Sequence, residues 1–175
     1  MSFSFEIEES SLIKDVWILR PSISEDLRGN MWTSFLRDEV ESLIPDNLSF
    51  KHDKFSTSKK HVLRGIHGDY KSYKLVTCVY GSIQQVVVDL RKDSPTYLQW
   101  QDFMINQNEQ QMVLIPPNMG NAYYTESDLS VYLYKLAYDG DYVDGDQQFT
   151  FMWNDPLIGI KWLNDTPILS ERDTP

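Results

Sequence analysis

The sequence is poor in the residues that bind metals and form disulfides, with one cysteine, Cys78, and three histidines, His52, His61 and His67, in 175 residues. A lone cysteine makes no internal disulfide, and within its strand-like run Cys78 reads as a buried thiol rather than a nucleophile. Metal-dependent small barrels gather several histidines and an acid. With no His-x-His pair the expectation is no metal site. No glycine-rich phosphate loop follows a strand, and neither Gly-x-Ser-x-Gly nor Cys-x-x-Cys occurs. Apolar runs are too short to cross a bilayer. The start, MSFSFEIEESS, carries acids where a secretory signal carries positive charge and an apolar stretch, so the expectation is a cytoplasmic protein with no membrane partner. Positive charge is scarce too: the formal net charge is −10, which opposes a nucleic-acid partner. One small anionic ligand needs only a local basic pocket, and Arg28, Lys59, Lys60, Arg64 and Lys74 are available for it.

What is present points to a folded β-rich chain. Hydrophobic residues make up 41% and aromatics 13%, enough for one core in a single domain over 1–175. Runs of Val, Ile, Leu and Tyr between turn residues predict strands over 12–20, 48–55, 61–67, 74–80, 82–90, 97–105, 110–115, 121–125 and 129–138, with MWTSF (31–35) strand-like as well. The segment SISEDLRGN reads as a polar loop. Leu36, Val40, Leu43 and Ile44 form one helical stripe over 35–44, stopped by Pro45. Many short strands with few helices favour a sandwich or barrel over a parallel α/β sheet.

Excluding metal, thiolate and phosphate-loop chemistry leaves acid–base work by His, Tyr, Lys and Asp. His67 stands at a strand end beside the polar loop Gly68–Ser72, a suitable place for proton transfer, although an exposed loop histidine fits the same pattern. On 129–138, alternation puts Tyr132, Tyr134, Leu136 and Tyr138 on one face. That row either lines a pocket with hydroxyl tips or is ordinary aromatic packing. On a straight strand Arg64 and His67 would point to opposite faces. A bulge or kink at Gly65 would bring both to one pocket.

The blocks DLRGN, FSTSKKHVLRGIH, KLV, VVVDLRKDSPTY, IPP, YLYK, WNDPLIGI and ILSERD, in this order from about Val16 to Asp173, resemble the nucleotide-sugar 3,5-epimerases of the dTDP-4-dehydrorhamnose 3,5-epimerase family. The resemblance implies an all-β jelly-roll cupin, a barrel or sandwich with a few short helices. It also implies a homodimer that works without metal or organic cofactor on a nucleotide-diphosphate 4-keto sugar, as in bacterial surface-polysaccharide synthesis. His67 looks like the base that removes a proton beside the ketone, and Asp173 like the acid that orients it. Lys74 looks like the cation that stabilises the enolate, and Tyr134 like the proton donor on the opposite face. Arg28 and Arg64 match positions that hold the diphosphate.

The departures bear on the ligand. Relatives carry RGFF, QDN and, after an IPE segment, HGF. Here the matching stretches are Arg28–Met31, His52–Lys54 and Asn121–Tyr123. The first two fall where the family binds thymidine, so His52 and Lys54 are expected to contact a different nucleotide, as in the branch acting on GDP-linked 4-keto-heptoses. Asn121 replaces a histidine and is expected to bear on which carbons invert; Tyr138 is placed at the substrate. A monofunctional epimerase, a 3,4-ketoisomerase and a non-catalytic sugar-binding cupin are the alternatives.

Overall fold

The computed structural model describes residues 3–174. The strands are β1 (Phe5–Glu9), β2 (Trp17–Pro21), β3 (Ser24–Asp26), β4 (Gly29–Met31), β5 (Phe50–Lys59), β6 (Leu63–Gly68), β7 (Tyr73–Tyr80), β8 (Ser82–Asp89), β9 (Trp100–Asn106), β10 (Met112–Ile115), β11 (Met119–Thr125), β12 (Leu129–Ala137) and β13 (Phe149–Thr150). One helix, α1 (Arg37–Glu41), and two 3-10 turns, Gly145–Gln147 and Glu171–Asp173, complete the elements. The strands form a six-stranded sheet, β1-β2-β10-β7-β12-β5, a five-stranded sheet, β13-β6-β11-β8-β9, and the separate hairpin β3-β4. Neighbours within all three pair antiparallel. The two large sheets pack face to face as a sandwich, as the strand pattern predicts.

Alternation along the strands divides the apolar residues among three layers. Inward residues of both sheets meet between them, Val76, Cys78, Val113, Ile115 and Tyr132 from one and Ile83, Val87, Phe103, Ile105 and Tyr123 from the other. The outer face of the six-stranded sheet is covered too. Leu19, Leu75, Met112 and Leu114 pack there under Val40 and Ile44, with Trp32 and Phe35 at the margin. The outer face of the five-stranded sheet buries Ile66, Val86, Val88 and Ala122 beneath the tail residues Phe151, Ile158 and Trp162. Covered on both faces, the central strands read as nearly continuous apolar runs. Met112–Ile115 of β10 and Val86–Val88 of β8 illustrate this, every residue in both runs being buried.

Several boundaries differ from the sequence expectations. The strand expected over 12–20 begins only at Trp17, because Asp15 takes a positive φ of 69° in the turn before it. The helix keeps its stripe but contracts to five residues, with Ile44 reaching the core from the turn that follows. Residues 32–35 are not a strand; Trp32 and Phe35 are irregular backbone anchored by their rings. The polar loop contains the β3-β4 hairpin, and β1 pairs with β2 through Glu6↔Arg20 and Ile7↔Leu19. No helix among the described residues is long and apolar enough to cross a membrane.

Candidate active site

The pocket opens between the sheets at the end where β6 and β7 are joined. Its volume is about 340 Å3, and its lining includes Lys54, Ser56, Arg64, His67, Lys74, Asn121, Tyr134, Tyr142, Arg172 and Asp173. His67, Arg64 and Asn121 come from the five-stranded sheet, whereas Lys74, Tyr134 and Lys54 come from the six-stranded one. Residues on facing sheets therefore look at one cavity from opposite sides.

Arg64 and His67 share that cavity because β6 is bulged. Against β11, Asn121 pairs with His67 and Tyr123 with Arg64, so three residue steps on β6 span two on β11. The extra residue shifts the side-chain parity, and Ile66 turns outward into the tail-covered cluster while His67 turns inward. Gly65 permits this. Its φ is +122°, and a Cβ there would lie 2.5 Å from the Ala122 Cβ. The Gly65–Ile66 peptide is cis.

His67 is held by the C-terminal 3-10 turn. Its Nε2 lies 2.5 Å from Asp173 Oδ1, while Asp173 Oδ2 accepts from the Ser170 hydroxyl at 3.0 Å. Burial works to raise the pKa of Asp173. The bonds from His67, Ser170 and the Gly65 N–H outweigh it and hold the carboxyl below the usual carboxylate range. An ionised carboxylate only accepts, so it draws the imidazole proton to Nε2 and leaves Nδ1 as the lone pair.

Lys74 has a partner that sequence reasoning missed. Its ammonium donates to Asp69 Oδ2 at 2.9 Å, and both side chains are buried. Asp69 Oδ1 accepts the Lys71 and Ser72 N–H groups at 3.0 and 2.6 Å. Burial raises the pKa of Asp69, but Lys74 and these donors overcome that and keep it lowered. The loop between His67 and Lys74 thus folds around one carboxylate that fixes the cation. Only the position of an acid in a short loop between two candidate site residues hinted at this.

Tyr134 sits at the end of an aromatic stack. The Tyr123 and Tyr132 rings are stacked at 4.2 Å, and Tyr134 meets Tyr132 edge-on at 4.5 Å. Burial, reinforced by neighbouring Tyr123, pushes the Tyr134 phenol well above its ordinary pKa, so near neutral pH it is a proton donor. Of the expected tyrosine row, Tyr134 and Leu136 line the pocket and Tyr132 lies beneath it.

Arg64 donates through Nε to Ser58 Oγ at 3.0 Å and shares the cavity with Lys54 and with Arg172, a cation the sequence reading did not single out. Arg172 donates to Thr150 Oγ1 at 2.9 Å. Lys54 donates to the Tyr142 hydroxyl at 2.9 Å. His52 and Tyr138 do not line the pocket. They bond each other at 2.9 Å, and the His52 ring meets Tyr142 edge-on, which places them behind the rim. Arg28 is not in the lining either. It projects from the β3-β4 hairpin and pairs with its neighbour Asp26.

The comparisons with known proteins agree with this fold. The sequence profile of the dTDP-4-dehydrorhamnose 3,5-epimerase family matches residues 10–175. The dTDP-4-dehydrorhamnose 3,5-epimerase of Salmonella typhimurium is 36% identical over 165 residues, covering 92% of this chain and 88% of the relative. Among solved structures, a dTDP-6-deoxy-D-glucose-3,5-epimerase from Legionella pneumophila, in complex with dTDP-4-keto-L-rhamnose, superposes with a TM-score of 0.88 at 30% identity. It covers 97% of this chain and 90% of its own. A 3'-monoepimerase from Streptomyces bikiniensis, in complex with dTDP-quinovose, gives 0.85 at 26% identity over 94% of this chain and 83% of its own. The fold, the pocket and the match over nearly the whole length have one reading: the chain belongs to the dTDP-4-dehydrorhamnose 3,5-epimerase family of isomerases.

Proposed function

We propose that the protein epimerises a nucleotide-linked 4-keto sugar at a carbon beside the ketone, with His67, Asp173, Lys74 and Tyr134 as its working residues. The observation that carries the reading is the two-sided pocket, with His67 on one sheet, backed by Asp173 from the C-terminal 3-10 turn, and Lys74 and Tyr134 on the other sheet. His67 Nδ1 takes the proton from the carbon next to the carbonyl, and the C–H electron pair moves to the ketone oxygen as an enolate. The Lys74 ammonium offsets that charge as it forms. Tyr134 then gives its proton to the same carbon from the opposite face, the electrons return from oxygen, and the centre is inverted. Solvent reprotonates the tyrosine and removes the proton from His67. Arg64 suits the diphosphate through paired N–H donors, with Lys54 and Arg172 adding charge.

The relatives named above carry dTDP in their names or ligands, which supports a dTDP-linked substrate. A GDP-linked 4-keto-heptose rests only on the altered stretches at Arg28–Met31 and His52–Lys54. Inversion at a single carbon is the second reading, supported by the monoepimerase relative and by Asn121. Arg28 stands outside the pocket on a hairpin whose Leu27 and Met31 are exposed. In a homodimer that hairpin is free to reach a second copy.

The test is incubation in heavy water with dTDP- and GDP-linked 4-keto hexoses and heptoses, followed by NMR. The expected result is deuterium entering one or both carbons beside the ketone, with His67→Asn folded but inactive. Full activity of His67→Asn refutes the base assignment. Tight binding of a nucleotide sugar without exchange refutes the enzyme reading in favour of a binding module.

A further inference from the structure

Beneath the pocket, three polar side chains of the inner layer form a hydrogen-bond chain that the proton transfers above do not use. Gln85 and Tyr132 are fully buried, and Asn121 is 7% exposed. Two glutamines interrupt the otherwise apolar strand β8. Gln84 serves the tail by bonding Lys161 O and the Leu163 N–H, whereas Gln85 points between the sheets.

The orientation of this chain follows from a group that can only accept. The Gln85 amino group donates to the main-chain carbonyl of Val86 at 3.0 Å, so its amide cannot be turned round without setting two acceptors against each other. The same Nε2 donates to Asn121 Oδ1 at 2.6 Å. The Tyr132 hydroxyl has one proton and spends it on Gln85 Oε1 at 2.5 Å, the shorter of its two contacts; Asn121 Oδ1 lies 3.3 Å from it. The carbonyl half of Asn121 is therefore turned into the core. Its amino half has no hydrogen-bond partner among the described residues, and Asn121 lines the pocket. On the β11-β6 ladder Asn121 is the direct cross-strand partner of His67, and side chains so placed stand about 5 Å apart.

We propose that Gln85 and Tyr132 are positioning residues that lock Asn121 as a fixed donor, and that Asn121 binds one oxygen of the sugar and thereby sets which carbon beside the ketone meets His67. This inference rests on the epimerase reading. The two candidate carbons lie on either side of the carbonyl, so presenting one or the other to the same base requires the ring to turn. A donor anchored next to the base ties down one substituent oxygen and favours one ring orientation. An amide held this way neither titrates nor swivels, so the preference persists across the working pH range.

The test compares the rates of deuterium entry at the two carbons for the wild type, Asn121→Ala and Gln85→Glu. A carboxylate at position 85 has no N–H for Asn121 Oδ1, so the Asn121 amide turns over and shows the pocket an acceptor. The expected wild-type preference for one carbon is about tenfold, the factor one neutral hydrogen bond supplies. Both variants are expected to lose that preference and to raise KM. Asn121→Ala stands alone if the buried acid prevents folding. Equal rates at both carbons in the wild type overturn the inference, as does a preference that survives in the variants within about twofold while overall turnover falls. No exchange by the wild type with any 4-keto sugar overturns the epimerase reading itself, and this inference with it.

Discussion

Replacing Asp173 by asparagine removes one charge and almost no volume, at a residue that touches His67 and, in the reaction proposed above, does not itself exchange a proton with substrate. In the proposed reaction, proton abstraction turns the neutral imidazole into an imidazolium, and Asp173 Oδ1, 2.5 Å from Nε2, is the nearest counter-charge. Unit charges about 4 Å apart at an effective dielectric near 20 attract by about 4 kcal/mol. That is a ceiling of roughly three decades in rate. His67 is 23% exposed through its side chain, so water screens part of the attraction. A second effect acts in the same direction. The amide satisfies His67 with its oxygen only by turning its amino group toward donors that Asp173 now accepts, among them Ser170. Turned the other way, it offers an N–H to Nε2, and the imidazole proton moves to Nδ1, where the lone pair is needed. We expect kcat to fall about a hundredfold to a thousandfold with KM little changed, read from deuterium wash-in under saturating substrate. A variant keeping more than about a third of wild-type kcat would refute the role assigned to the carboxylate.

Two further outcomes concern stability and reactivity. Asp89, fully buried, accepts from Arg91, Ser94 and Thr96, so the DLRKDSPTY block closes a loop around one carboxylate. Burial raises its pKa, but those donors bring it below the usual value. Asp89→Ala should cost about 3 kcal/mol in urea unfolding at neutral pH. Because a depressed folded pKa contributes stability above the unfolded pKa near 3.9, the gap should narrow as pH falls below that value. An equal gap at pH 7 and pH 3 refutes the reasoning. Burial pushes the Cys78 thiol up to about 11, so a thiol reagent at pH 8 should label it only after denaturation. Rapid labelling of the native protein refutes its burial.

Much of this architecture can be read from the residues themselves. The strands from Leu63 to Ala137 were legible because branched and aromatic side chains fill both faces of layers covered on both sides. β1 is hard to read from sequence because FEIEE alternates apolar with acidic residues at a sheet edge, where Glu8 meets Arg20 across the ladder. The period of two placed Tyr134 and Leu136 toward one side, and the site bears this out. It put Arg64 and His67 on opposite faces, and the ladder shows why that parity fails, since the bulge inserts one residue between them. Asp69 left only the hint of its place in the loop, because its partnership with Lys74 depends on the path that loop takes. Gln85 did leave a trace, as an amide within an apolar strand must find bonds inside the core.

Asp173 reaches the pocket on a tail that also roofs the outer face of the five-stranded sheet and bridges to Val62 through Ile168. The histidine and its counter-charge lie 106 residues apart along the chain. In the proposed reaction, competence therefore depends on the docking of this tail. A chain with both sheets formed but the tail undocked holds a pocket whose base lacks its carboxylate, and turnover in such a protein is a readout of completed folding.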